Sequence, residues 1–485
     1  MFTLLVSLAI LVGGYFIYGA VAERVFGIDG SRVMPAYKQR DGVDFVPLPT
    51  WKVFLIQFLN IAGLGPIFGA IMGIMFGPAA FLWIVFGTIF AGAVHDFISA
   101  MISVRSGGLS LPDIVGNELG KGVKQVMRVF SMVLLILVGA VFVLTPSGLL
   151  AGMMPEGSWW SSPAVWTAVI FVYYMLATIL PVDKVIGNFY PVFGFALLFM
   201  AAGILAVMVF GDVTIPDGLS YGLYNRRADA DSMPVFPMMF VSIACGAISG
   251  FHATQSPMMA RCLKNERLAR PVFYGAMVAE GIVALIWAAA AITFTGGYDD
   301  LGRYMSAGNG AGSLVHDISI GWLGTVGGLL AIFGVVAAPI TTGDTALRSA
   351  RLIAADFMHV DQKPVMKRLL VSLPLFSVTF AVMMIDFNVL WRYFAWSNQT
   401  LAVFTLWAAT VYLARHRKAY VITLLPALFM TVVSVSYVLF APSPEGFGMG
   451  YGLAVGIGIA VAALFGGLFA RYLSRCAGTR LDLEY

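Results

Sequence analysis

Two segments decide how this chain folds. The first reads Gln57-Phe58-Leu59-Asn60-Ile61-Ala62-Gly63-Leu64-Gly65-Pro66-Ile67-Phe68-Gly69, and the second Ser242-Ile243-Ala244-Cys245-Gly246-Ala247-Ile248-Ser249-Gly250-Phe251-His252-Ala253-Thr254-Gln255-Ser256-Pro257. Both are apolar enough for a membrane helix, and both carry helix breakers near their middle. Pro66 lacks an N–H and crowds the carbonyl four residues earlier, while the adjoining glycines permit unwinding. In lipid, freed carbonyls and amides need partners, so such a break is stable only where it lines a polar cavity or binds a ligand. A single break also suits a packing kink with small-residue contacts. Two of them at matching positions in two halves point to the binding site of an inverted-repeat transporter.

The rest of the chain supplies the membrane that this reading needs. Of 485 residues, 60% are hydrophobic and only 11% are charged, against about 25% charged in a soluble domain. That composition excludes a soluble globular enzyme and a disordered chain. Three cysteines, Cys245, Cys262 and Cys476, do not make a disulfide framework. Hydropathy places thirteen membrane spans at about 3–22, 51–76, 79–103, 126–150, 164–182, 189–211, 235–260, 271–295, 321–346, 369–385, 388–413, 419–441 and 449–472. Ala20-Val21-Ala22 imitates a signal-peptide cleavage site, but the basic residues follow the first span instead of preceding it. Of the 29 Lys and Arg, 25 fall after odd-numbered spans or in the C-terminal tail, and 4 after even-numbered ones. By the positive-inside rule the N-terminus is outside and the C-terminus in the cytoplasm. The interrupted spans are then the second and seventh. An offset of five, an odd number, makes two repeats run in opposite directions. The expected organisation is an all-α polytopic membrane protein: a peripheral helix and loop (1–50), a first five-helix repeat (51–211), a second (235–413), and two peripheral helices with a cytoplasmic tail (419–485).

Ionisable residues inside the bilayer are functional candidates, because isolated burial there costs several kcal/mol. His95-Asp96 lies in the inner part of span 3 and suits a proton relay, since imidazole titrates near pH 6.5; a structural pair is the alternative. His252 follows the second break, with Thr254, Gln255 and Ser256 behind it. Glu280 sits near mid-depth of span 8 and is either protonated or paired with another helix. Thr341, Thr342, Asp344 and Thr345 form an oxygen-rich patch suited to a hard cation or a proton; an i, i+4 ion pair of Asp344 with Arg348 is the simpler reading. Ser397-Asn398-Gln399-Thr400 is too polar for lipid and should face the bundle interior. Leu109 to Gly116 suits a short amphipathic helix on the membrane surface. Half-helix N-termini at the breaks suit a carboxylate, and freed carbonyls suit a cation. No nucleotide-binding, zinc-protease, serine-hydrolase or haem motif is present.

The strings Asn60 to Ile67, Ala91 to Phe97, Ile248 to Pro257 and Thr341 to Thr345 resemble the carbon-starvation (CstA) protein family, with similarity from about residue 5 to 415. Better-known members are longer. The resemblance implies a bacterial inner-membrane secondary transporter for pyruvate, with a coupled proton, or for peptides. It also implies the amino acid–polyamine–organocation superfamily, whose fold is the LeuT-type five-plus-five inverted repeat. On that basis the unwound centres hold substrate: Asn60, Gly63 and Gly65 in span 2, and Gly246, Ser249, Gly250, His252, Thr254 and Gln255 in span 7. Asn398 of span 11 joins them. Thr341, Thr342 and Thr345 correspond to positions whose hydroxyls bind Na⁺ in sodium-coupled relatives; Asp344 has no such counterpart. The coupling groups are then His95, Asp96, Thr341, Thr342, Asp344 and Thr345.

The sequence thus reads as a symporter of a small carboxylate or short peptide with H⁺ or Na⁺, without an organic cofactor, a resident metal or a nucleic-acid partner. Competing classes are a channel or facilitator and, further off, a membrane metalloenzyme using His95, Asp96 and His252.

Overall fold

A computed structural model describes residues 1–42, 44–155, 157–179, 182–307, 310–362 and 364–478. Among these residues the chain is helical throughout, with no strand. The reason is the solvent: in hydrocarbon only helices or closed barrels satisfy every backbone group internally. The helices are α1 (Phe2–Phe26), α2 (Thr50–Ala62), α3 (Gly65–Ile74), α4 (Ala79–Arg105), α5 (Leu111–Leu119), α6 (Lys121–Gly152), α7 (Pro163–Ile179), α8 (Val182–Phe210), α9 (Phe240–Ser242), α10 (Gly250–Ala260), α11 (Glu266–Thr295), α12 (Tyr298–Ser306), α13 (Ala311–Ala331), α14 (Ala337–Met358), α15 (Val365–Val382), α16 (Phe387–Arg415), α17 (Val421–Phe440) and α18 (Tyr451–Gly478).

By length and composition alone nine of these, among the described residues, could cross a membrane, α13 being counted despite its break at Gly324, and ten if the bent pair α2 and α3 makes one span. The expected spans outside that set each have a visible cause. The fifth is a short apolar helix at Pro163–Ala177. The seventh is divided into α9 and α10. The eleventh is α16, a 29-residue helix, about 43 Å long by helical rise, whose Ser397–Thr400 run lowers its hydropathy.

Span 9 differs in its boundaries. The expected 321–346 straddles a chain reversal at Gly324, where φ is +57° and ψ is −145°. A Cβ at Gly327 would lie 1.9 Å from the carbonyl oxygen of Ser319, so the segment before Gly324 folds back on the segment after it. From there the helical path continues through a π turn at Ile332–Val336 into α14 and ends at Met358. Hydropathy halts at Arg348, yet Arg348 and Arg351 are both fully buried.

The short helix expected near residues 109–116 is α5. Its first turn, Leu111 to Val115, is buried, and it packs against α6 and α16. Its N-terminus is fixed by Asp113, whose carboxylate meets Lys124 Nζ at 2.6 Å and Arg128 at 3.4 Å and accepts from Ser110 Oγ at 2.7 Å. Burial alone would raise the Asp113 carboxyl, but the bonds from Lys124 and Ser110 and the charge of Arg128 outweigh it and hold it below the usual carboxylate range. Helices α17 and α18 pack on each other and on α16.

Candidate functional site at two broken helices

The first break is built by glycine and proline. Helix α2 stops at Ala62. Gly63 takes φ +47° and ψ −128°, a conformation that side chains with a Cβ rarely adopt. A π turn then starts at Gly65-Pro66, and α3 leaves at 52° to α2. The carbonyl of Leu59, loosened by this turn, accepts from Thr342 Oγ1 at 2.9 Å.

The second break is longer. Residues 243–249 are non-helical between α9 and α10. Their carbonyls are met from neighbouring helices: Thr88 Oγ1 donates to Gly246 O at 3.2 Å, and Gln399 Nε2 to Ile248 O at 3.3 Å. Ser249 Oγ donates to Asn398 Oδ1 at 3.2 Å. The polar run of span 11 therefore faces inward, as expected, and braces the second break.

The two breaks touch. A Cβ on Gly65 would lie 2.0 Å from Cys245 Cβ, and one on Gly250 would lie 2.3 Å from the backbone nitrogen of Ala402. A Cβ on Gly92 would lie 2.1 Å from Ala247 O. Glycine is required at these three positions because backbone or short side chains pass too close for any other residue.

Beside the breaks lies a network that the sequence presents as separate pieces. His95 Nδ1 is 2.8 Å from Asp96 Oδ1, and His252 Nδ1 is 2.9 Å from Asp96 Oδ2. His252 Nε2 is 3.6 Å from Glu280 Oε2. All four residues are fully buried, and they come from α4, α10 and α11. An ionised Asp96 only accepts, so each Nδ1 carries a hydrogen and each Nε2 is left to gain or lose one. Neither Nε2 has a hydrogen-bond partner, nor does either Glu280 oxygen. Glu280 thus stands across from His252 on another helix, at 3.6 Å just beyond the 3.5 Å reach of a hydrogen bond, so a small approach would let one proton bridge the two.

Several candidate side chains keep polar atoms unused. Both side-chain polar atoms of Asn60, on the last turn of α2, have no partner, nor have Gln255 Oε1 and Asn398 Nδ2. A buried amide with nothing to bond is costly, and Asn60 leaves both of its polar atoms in that condition. Thr254 and Gln255 bond locally: Thr254 Oγ1 donates to Phe251 O at 2.6 Å, and Gln255 Nε2 to Thr254 Oγ1 at 2.9 Å.

The oxygen-rich patch on α14 divides. Thr342 joins the first break. Thr341 and Thr345 return their hydroxyls to their own helix, to Ala338 O at 2.8 Å and Thr342 O at 3.0 Å. Asp344 accepts from the Tyr190 hydroxyl of α8, and Arg348 donates to Ala177 O at 2.7 Å. The Asp344–Arg348 ion pair is therefore replaced by two longer-range bonds. Among the described residues no group of three or more His, Cys, Asp or Glu is arranged to hold a metal ion.

Thr88, Gln57 and Tyr190 belong to the site region and were not singled out by the sequence. Gln57 Nε2 donates to Ser256 Oγ at 3.4 Å, linking the two broken spans. A lone Thr88 inside the apolar run Trp83–Gly92 was the available signal. Cavities of different size flank the region. A cavity of 680 Å³ reaches Phe68, Met72, Thr145 and Trp391 on the α3 side, whereas the pocket by Thr254, Pro257 and Ser349 holds only 20 Å³.

Comparison with known proteins agrees with this architecture. The profile of the family described as carbon starvation protein CstA matches residues 1–162 and 156–310. An uncharacterized membrane protein of Haemophilus influenzae is 42% identical over 343 residues, covering 62% of this chain and 92% of the relative. The peptide transporter CstA of Bacillus subtilis is 26% identical over 537 residues, covering 89% and 88%. The pyruvate/proton symporter BtsT of Escherichia coli is 26% identical over 347 residues, covering 59% of this chain and 48% of the relative. Among solved structures, a mutant of a manganese transporter of Eremococcus coleocola superposes with a TM-score of 0.52 at 14% identity, covering 88% of this chain and 97% of that one, a likeness of fold alone. Broken helices that meet, a profile match over more than half the chain and relatives that are transporters lead to one conclusion: the chain belongs to the carbon starvation protein CstA family.

Proposed function

We propose that the protein is a proton-coupled symporter that imports a small carboxylate such as pyruvate, or a short peptide. It would cross the bacterial inner membrane thirteen times, N-terminus outside and C-terminus in the cytoplasm, with spans 2–6 and 7–11 as a LeuT-like five-plus-five inverted repeat. The observation that carries this reading is the His95–Asp96–His252–Glu280 network, fully buried, with His252 three residues beyond the second break. A proton arriving there changes the charge of the segment that would hold substrate.

Substrate would lie between the breaks, its carboxylate against the N–H groups that open α10, its polar groups on Asn60 and Asn398. The dipole attraction is modest, of order 1 kcal/mol, so hydrogen bonds in a dry site supply most of the affinity. The likeness to a named pyruvate/proton symporter and to named peptide transporters supports both substrate classes. A proton is preferred over Na⁺ because the imidazole Nε2 atoms of His95 and His252, buried beside Asp96 and Glu280, are unused.

The test is a thermal-shift screen of the purified protein against carboxylates, amino acids and dipeptides at two pH values, with and without Na⁺. A ligand-dependent shift is expected, with a pH-dependent part that is lost in Asn60→Ala. A shift that requires Na⁺ and ignores pH would overturn the proton assignment.

A further inference from the structure

The far end of α14 carries charge that the central site does not use. Arg348 and Arg351 stand three residues apart on one helix, so their side chains leave the same face. Both are fully buried. Arg348 gives Nη2 to Ala177 O at 2.7 Å, and Arg351 gives Nη1 to the side-chain oxygen of Gln362 at 3.0 Å. Four nitrogens, Arg348 Nε and Nη1 and Arg351 Nε and Nη2, donate to nothing. Among the side chains described, no carboxylate is paired within 4.0 Å of either guanidinium, although Asp44 and Asp344 are near enough for their charges to reach Arg351.

Guanidinium keeps its charge in any protein environment. Removing one partner from a buried pair costs several kcal/mol, and here two such groups share one face. Their neighbour Asp344 accepts from Tyr190 on one oxygen and keeps the other without a partner, so it offsets part of this charge at a distance without engaging either fork. The forked donors match a planar carboxylate, which accepts two parallel N–H bonds. Gln362, in the connection between α14 and α15, already places one neutral oxygen on Arg351 where a carboxylate oxygen would bind.

We propose that Arg348 and Arg351 form a second binding site, for small carboxylates, with the Gln362 side chain as a displaceable cover. Arg351 is nine residues beyond Thr342, about 13 Å along the helix axis, so this site is distinct from the broken helices. It adds a station to the proposed carrier and does not require the central site to bind the same solute.

The test is pyruvate and acetate titration of the purified full-length protein in detergent at constant ionic strength, with chloride as comparator. Binding is expected to persist in Asn60→Ala, to weaken about tenfold or more in Asn60→Ala with Arg351→Gln, and to tighten when Gln362→Ala removes the competing oxygen. Arg351→Lys keeps the charge and loses the fork. It should show the same weakening, with an unchanged melting midpoint in the absence of ligand. Equal affinity in the arginine variants, equal stabilisation by chloride, or no binding to Asn60→Ala would overturn the site. Binding lost in Asn60→Ala but kept in Arg351→Gln would overturn it and leave the central site standing. Arg351-dependent binding that Asn60→Ala leaves intact, together with vesicles that fail to take up solute, would do the reverse.

Discussion

Gly65→Ala tests whether the two breaks must touch. The added methyl would sit 2.0 Å from Cys245 Cβ and 2.6 Å from Cys245 Sγ. Ordinary carbon contacts are about 3.5–4.0 Å, so the breaks would have to part by roughly 1.5–2 Å. Overpacking of this kind costs about 1–3 kcal/mol. Set against the arrangement with both breaks closed, about 2 kcal/mol lowers its population by roughly 30-fold. Transport by proteoliposomes should fall by about that factor, with a lowered melting midpoint. Cys245→Gly in the same chain removes both contacts below 3 Å, leaving only Cys245 Cα at 3.4 Å, and should restore much of the activity. Cys245→Ala keeps the Cβ contact and should not. Wild-type transport by Gly65→Ala, or equal rescue by Cys245→Ala and Cys245→Gly, would refute the reasoning.

The site and its frame yield further expectations. Asn60→Ala should weaken substrate binding at least tenfold while leaving the ligand-free melting midpoint within a few degrees, because the amide makes no bond within the protein; titration calorimetry checks this. Glu280→Gln should flatten the pH dependence of uptake while preserving exchange of solute at equal pH on both sides. Gly324→Ala should destabilise by about 1–3 kcal/mol, since φ is +57° there, read as a lowered unfolding midpoint. Asp113→Asn should destabilise at neutral pH. The Asp113 carboxyl is held below its unfolded value, so its contribution is full above the unfolded pKa and is lost as pH falls through the folded one. The gap between wild type and variant, followed by thermal unfolding, should therefore close on acidification.

The sequence revealed most of the scaffold because lipid imposes few choices. Glycine and proline inside apolar runs identified both interrupted helices, and the polar run Ser397–Thr400 was rightly turned inward. The network was harder to read. His95-Asp96, His252 and Glu280 lie on three helices, and nothing in their spacing tells that one carboxylate takes both imidazoles. The Asp344–Arg348 spacing suggested a local pair, but tertiary partners, the Tyr190 hydroxyl and the Ala177 carbonyl, won both groups. The reversal at Gly324 was hidden because a single glycine with positive φ leaves no trace in hydropathy. The end of α14 was missed for a related reason: hydropathy counts Arg348 as an exit from the membrane, whereas packing buries it.

The most direct test of the account is pyruvate uptake into vesicles holding the purified protein, driven by an imposed pH gradient or by an imposed Na⁺ gradient. An inward proton gradient should drive accumulation in the wild type, the Na⁺ gradient should not, and Asp96→Asn should uncouple uptake from pH. Accumulation driven by Na⁺ alone, or uptake indifferent to both gradients, would contradict the central claim.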